Sequence, residues 1–291
     1  MKSIRATTLY RRISDRIVQP LRFRRQYAEA RLAAAMRIGY VPAKWCRESN
    51  WGDSLNPFLI KAISGLPVRF TSHPSLLKYV VIGSTIGTCD SNSIVWGAGA
   101  IAPSVKLNAK PLKVCAVRGP LTRQLLLEQG VDVPRVYGDP ALLLPRFFRP
   151  DANVRYDVGI IPHYMDNEHP WLDRYRNSQS VCIIDVTGER LGFIRQVNEC
   201  RHIVSSSLHG IICADAYGIP ATWIELSDRV IGSGFKFRDY FASVGRQHMS
   251  SVQVTRGTDL ENILSEQVPY SVQIDIDALY TACPFRRELN A

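Results

Sequence analysis

From Ile38 onward, short apolar runs rich in β-branched residues are followed by stretches in which apolar residues recur at helical spacing. Repeated along a chain, that alternation predicts an α/β protein. The runs Ile38–Val41, Val68–Phe70, Tyr79–Ile82, Ser93–Trp96, Val114–Val117 and Arg135–Tyr137 read as a first set of strands. Helical periods at Pro57–Ser64 and Leu121–Gln129 fall between them, the second stopped by Gly130. A second set comprises Val158–Ile161, Val181–Ile184, His202–Val204 and Thr222–Glu225, with helices at Leu191–Glu199 and Ile211–Tyr217. The stretch "LPRFFRPDANVRYD", with Pro145 and Pro150, suits a linker and puts a boundary near residue 150. The expected organisation is therefore a segment 1–37, a domain over 38–150, a second over 151–270, and a tail over 271–291. That tail forms a helix from about Asp275 that returns to the first domain.

Composition leaves this picture intact: 46% apolar and 21% charged residues over 291 positions support a sizeable core. No apolar run is long enough to span a bilayer; the stretch from Tyr79 to Cys89 is broken by Gly83, Ser84, Thr85, Gly87 and Thr88. Arginines interrupt the N-terminus where a signal peptide needs an apolar core, so a cytoplasmic location is expected. The seven cysteines show neither a CxxC pair nor a Cys/His cluster, which argues against a disulfide framework and a metal site.

Charge adds one feature. Residues 1–37 carry ten basic side chains against Asp15 and Glu29, a net +8 of the formal +10 for the whole chain. Ile4, Leu9, Ile13 and Ile17 recur opposite Arg5, Arg12 and Arg16, the pattern of a basic amphipathic helix. It reads either as a solvated terminal helix or as a dock on anionic lipid. Nucleic acid is the poorer partner, because aromatic residues do not interleave with the charge as stacking requires.

Parallel sheets bind ligands beyond the carboxyl ends of their strands, where helix N-termini offer free N–H groups to anions. Four segments are candidates. In "NWGDSLNP", Gly52 permits close backbone approach, and Asn50 and Asp53 offer an amide and a carboxylate; alternatively an Asx turn caps a helix at Asp53 or Ser54. "WGAGA" lacks the third glycine and the acidic residue of a dinucleotide fingerprint and reads as a tight, closely packed turn. In "AVRGPLTRQLL", Arg118 leaves a strand with a planar fork for carboxylate or phosphate, or pairs with an aspartate such as Asp139. In "HIVSSSLHGIICADAYGIP", Ser205, Ser206, Ser207, His209 and Gly210 gather at a strand-to-helix turn, either as a plain N-cap with a core or capping histidine or as hydroxyls, helix N–H groups and an imidazole converging on one mouth. Lys236 and Arg238 of "FKFRDYF" and His163 of "IIPHYMD" add to the same face, so an anion rich in negative charge is the expected substrate.

In this order, "NWGD", "AVRGP", "VYGDPALLLP", "IIPHY", "SSSLHGIICADAYGIP" and "KFRDYF" resemble the polysaccharide pyruvyl transferase family, and most nearly its bacterial exopolysaccharide ketal-pyruvyltransferases of the xanthan and succinoglycan kind. The resemblance covers roughly residues 38–245. It implies two Rossmann-like domains facing a cleft, as in the GT-B glycosyltransferases. It also implies phosphoenolpyruvate as donor, a sugar of a lipid-linked oligosaccharide as acceptor, a pyruvate ketal as product, and no cofactor or metal. On that basis His209 is the expected general acid, with a pKa near neutrality, and Asp53 the weaker candidate for base. Arg118, Ser206, Ser207, Gly210, His163, Lys236 and Arg238 are the expected donor-binding residues, and Asn50 and Gly52 the acceptor-binding ones. Some family members carry Arg-Leu-His-Gly where this chain has Ser207-Leu208-His209-Gly210. Arg118, Lys236 and Arg238 are then the candidate cations for the donor. The basic segment 1–37 would hold the enzyme on the anionic inner face of the cytoplasmic membrane.

Two other readings compete. A GT-B enzyme using a nucleotide sugar commonly shows Glu-x7-Glu, but the eighth residue after Glu225 is Ser233, and the acidic pair Asp275/Asp277 sits where a helix cap is expected. A non-catalytic sugar- or lipid-binding module would tolerate loss of His209.

Overall fold

The computed structural model describes residues 19–35, 39–47 and 50–287. The amphipathic stretch from Ile4 to Ile17 lies outside them. The described chain opens with helix α1 (Gln19–Ala35), which holds the edge of the first sheet through Phe23 and Tyr27 against the His73 ring and Gln26 against Thr71 and Ser72.

Among the described residues ten strands form two five-stranded sheets, and every pairing is parallel. The first sheet contains β1 (Val41–Ala43), β2 (Val68–Phe70), β3 (Lys78–Val80), β4 (Ser93–Trp96) and β5 (Lys113–Ala116) in the order β2-β1-β3-β4-β5. The second contains β6 (Tyr156–Ile161), β7 (Val181–Ile183), β8 (Cys200–Ser205), β9 (Ala221–Glu225) and β10 (Val252–Gln253) in the order β10-β9-β8-β6-β7. Counted from its own first strand, each sheet has the doubly wound order 2-1-3-4-5. Each therefore has a switch point where the chain reverses direction across the sheet, between β1 and β3 and between β6 and β8. A crevice opens at such a point because the two flanking connections leave on opposite faces.

Helices α2 (Trp51–Ser64), α3 (Pro120–Glu128), α4 (Arg190–Asn198), α5 (Leu208–Ala216), α6 (Phe235–Ser243), α7 (Leu260–Ser265) and α8 (Ile276–Thr281) accompany the strands. α2 begins six residues before the expected Pro57. A proline inside a helix frees the carbonyl four residues back. Here that carbonyl belongs to Asp53 and accepts from the side-chain amide of Asn56 at 3.1 Å, so the helix runs through. The strand expected at Arg135–Tyr137 reduces to a single bridge between Val117 and Tyr137, since Pro134 precedes it and Gly138 turns away with φ 128°.

The two sheets share one apolar cluster, which includes Trp51, Leu55 and Trp96 from the first half and Phe193, Ile211 and Tyr240 from the second. Trp51 stacks on Phe193 at 4.8 Å, its indole donates to the Arg190 carbonyl, and its backbone N–H donates to Val186. α8 packs on the first half, where the Trp96 indole donates to the Leu279 carbonyl and Phe285 lies edge-on to Tyr79 and Trp96. Asp275 caps α8 by accepting from Ala278, and Asp277 pairs with Arg146. Among the described residues no helix is long and apolar enough to cross a membrane.

Candidate active site

A cavity of about 320 Å³ lies where the two switch points meet. Lys44 enters it just beyond β1, Ser84 and Thr85 beyond β3, His163 beyond β6, and Ser207, Leu208 and His209 beyond β8. Asn50 and Asp53 contribute from the start of α2, and Lys236 from the first turn of α6.

Asn50, rather than Asp53 or Ser54, is the cap of α2. Its Oδ1 accepts from the Asp53 N–H at 3.0 Å while its amide donates to the Asp53 carboxylate. Asn56 ties this turn to the first sheet, accepting from the Ile82 N–H at 3.0 Å and donating to the Ile82 carbonyl at 3.2 Å. Asp53 is thus held at the cavity wall, only 6% exposed.

The three serines do different work. Ser205 closes the turn after β8: its Oγ lies 2.9 Å from the carbonyls of Ile161 and Ser207 and accepts from the Ser207 N–H at 3.0 Å. Ser206 accepts from the His163 N–H at 2.8 Å and so fixes the loop after β6. Ser207 is the residue before α5, yet its hydroxyl caps no N–H of that helix and lines the cavity. The first N–H groups of α5 lack intrahelical acceptors, and the helix dipole adds partial positive charge there. Gly210 lies in the first turn over Ser205, where a Cβ would stand 2.6 Å from its Oγ.

Electrostatics at this mouth are positive. Burial, then Lys236, Arg118 and His163, push the His209 pKa down to about 3, and its buried Nε2 has no hydrogen-bond partner. An acid poised near neutrality is the expectation from sequence; the site instead holds a neutral imidazole, because a further cation would face Lys236 and Arg118 in a buried setting. His163 is likewise lowered to about 4, chiefly by burial and then by Lys236, and its Nδ1 accepts from the Met165 N–H. Burial and Arg118 bring Lys236 down to about 8, against an opposing pull from Asp53. Burial lowers the Lys44 pKa, and its ammonium donates to the Thr88 carbonyl.

Several expected residues stand elsewhere. Arg118 is fully buried behind the cavity: Nε donates to Asp239 at 3.1 Å, Nη2 to the Ala100 carbonyl at 2.6 Å, and Nη1 to Ser84 at 2.9 Å. Its carboxylate partner is Asp239 on α6; Asp139 instead caps the short helix Pro140–Arg146. The "WGAGA" turn serves this arginine, since a Cβ at Gly99 would fall 2.3 Å from its Cζ. Ser206 and Arg238 line a neighbouring cavity, and Gly52 backs His209. Lys44, Ser84, Thr85 and Thr88 line the site but were not singled out from the sequence. Their one legible signal is position, in the segments that follow apolar strands.

The family model for polysaccharide pyruvyl transferase matches residues 63–228. The chain belongs to the polysaccharide pyruvyl transferase family. It is 31% identical to an uncharacterised protein of Acanthamoeba polyphaga mimivirus over 68% of this chain and 72% of the relative. It is 27% identical to the succinoglycan biosynthesis protein ExoV of Rhizobium meliloti over 70% of this chain and 65% of the relative. As a member of this family the protein is a pyruvyltransferase acting in polysaccharide modification. The matched region takes in the β3 and β8 turns that line the cavity, whereas Asn50, Asp53 and Lys236 lie outside it.

Proposed function

We propose that this pyruvyltransferase takes its pyruvyl group from phosphoenolpyruvate and places it as a ketal on a sugar of a lipid-linked oligosaccharide, releasing phosphate. One observation carries this reading: the α5 N-terminus, His209, Ser207 and Lys236 line a single small cavity together with Asn50 and Asp53. The first group suits a dense anion and the second suits sugar hydroxyls.

The donor's phosphate and carboxylate lie against the first N–H groups of α5, the Ser207 hydroxyl and the Lys236 ammonium. Arg118 adds positive field from behind and holds Ser84 in place. Donor charge reverses the electrostatics around His209, so its imidazole takes up a proton as the donor binds. His209 delivers that proton to the donor's methylene carbon, which becomes a methyl group, and C2 becomes electrophilic. One sugar hydroxyl adds to C2 as Asp53 accepts its proton. The C2–O bond to phosphate then breaks, and the second hydroxyl closes the ketal. One hydroxyl proton replaces the proton given to carbon, and the other leaves with phosphate.

Segment 1–37 holds the enzyme at the anionic inner face of the cytoplasmic membrane, where a lipid-linked acceptor resides. Within α1, Leu21 and Leu32 are each 61% exposed on a helix that also carries Arg22, Arg24, Arg25 and Arg31. Removing residues 1–36 should abolish sedimentation with anionic vesicles; unchanged partition would refute the dock. For the reaction, the test is phosphate release from phosphoenolpyruvate with and without lipid-linked repeat units. Acceptor-dependent release supports the proposal, and acceptor-independent or absent release opposes it.

A further inference from the structure

We infer that a second cavity, at the carboxyl ends of β8 and β9, binds a neutral sugar unit of the acceptor chain next to the one that reacts. The inference rests on the acceptor being a glycan. At about 320 Å³ the reaction cavity is near the lower end of the roughly 300–1,000 Å³ usual for small-ligand sites. Donor and one sugar ring fill it, so the rest of the chain must find its contacts outside.

The neighbouring cavity is larger, about 670 Å³, and shares a wall with the first. Ser206 faces the second and Ser207 the first; Phe237 lines the second and Lys236 the first. The second cavity is also lined by Gly232-Ser233-Gly234, with φ of 101°, 46° and 74°. Among the described residues Ser233 alone has a positive φ without being glycine, a conformation that persists only where surroundings enforce it. Two contacts do so. Arg238 Nη2 donates to the Ser233 carbonyl at 2.6 Å, and Gly232 packs so closely on Ile101 that a Cβ would meet its carbonyl oxygen at 2.0 Å.

The lining selects the ligand. Trp223 is 2% exposed, its ring face is covered by Phe237 at 4.4 Å, and its Nε1 has no acceptor. A buried donor left in that state is costly, so an incoming acceptor group is favoured. Glu225 and Asp228 outnumber Arg238 among the charged groups of the wall, which disfavours an anion such as the donor. Ile231, 68% exposed, supplies an apolar side. A neutral sugar, with hydroxyls at its rim and C–H groups on its ring face, meets each of these demands; a phosphate does not.

The test titrates the full chain with neutral disaccharides of glucose, galactose and mannose while following the indole N–H signals of its five tryptophans by NMR. The expected result is a saturable shift of the Trp223 signal by at least one disaccharide. In Glu225→Gln/Asp228→Asn protein of unchanged circular dichroism, the affinity should fall about fivefold or more while phosphoenolpyruvate binding stays the same. Disaccharides that leave the Trp223 signal unmoved, or bind wild type and variant alike, would overturn the inference. If they bind as expected but phosphoenolpyruvate does not bind, the cavity assignment stands and the donor assignment fails.

Discussion

The imidazole of His209 rests against the backbone of Gly52: a Cβ at residue 52 would lie 2.2 Å from both its Cγ and its Nδ1. A helix residue from one half of the molecule thus sets the position of a side chain from the other. Alanine is normally the better helix former by about 1 kcal/mol, so Gly52→Ala has little reason to unfold α2. It must displace the His209 ring instead. We expect turnover to fall at least about tenfold in phosphate-release kinetics, with thermal midpoint within a few degrees of wild type.

His209 should respond to donor rather than to pH alone. With its pKa held at about 3, its NMR ring signals should show a neutral imidazole throughout pH 5 to 8 in the free protein. A histidine depressed in this way makes the folded state bind fewer protons than the unfolded one. Its contribution to stability is therefore complete above the unfolded value and lost as pH falls toward 3. Saturating phosphoenolpyruvate should raise the His209 pKa and give proton uptake on binding, read as a buffer-dependent calorimetric enthalpy. A free-state titration near the ordinary histidine value would contradict this electrostatic picture.

The serines offer a separation of roles. Ser205→Ala removes the hydroxyl that closes the β8 turn and should cost about 1–3 kcal/mol in denaturant unfolding. Ser207→Ala removes a group that faces only the cavity and should raise KM for phosphoenolpyruvate more than it lowers kcat, with stability unchanged.

Asp239 links the halves, accepting from Arg118 and from both the N–H and the hydroxyl of Thr122, at 2.8 Å and 2.7 Å in the latter two. Asp239→Asn strands a buried guanidinium and should cost roughly 3–5 kcal/mol by denaturant titration. Arg118→Met/Asp239→Leu, which removes both charges, should regain much of that stability without regaining activity.

Most of the sheet architecture was legible because parallel strands are short apolar runs, and Ser93–Trp96 appears as read. Proline misled at α2, where the Asn56 amide replaces the missing N–H bond, a contact that spacing cannot reveal. The same limit hid the partner of Arg118, which lies on another domain-scale segment, and the short strand β10, which is only Val252–Gln253. Asn50, Asp53, His163, Ser207, His209 and Lys236 were singled out from the sequence and meet at one cavity. Lys44 and Thr85 were not, since a lysine and a threonine after a strand carry no mark of their own until a second sheet faces them.

The central claim is pyruvyl transfer from phosphoenolpyruvate through His209, and product analysis tests it most directly. Purified protein is incubated with phosphoenolpyruvate and lipid-linked oligosaccharide, and the glycan is examined by mass spectrometry and NMR alongside phosphate release. We predict one phosphate released for each pyruvate ketal formed on the glycan, with both lost in His209→Ala. Ketal formation that persists in His209→Ala, or a glycan extended by a sugar with no phosphate released from phosphoenolpyruvate, would contradict the account.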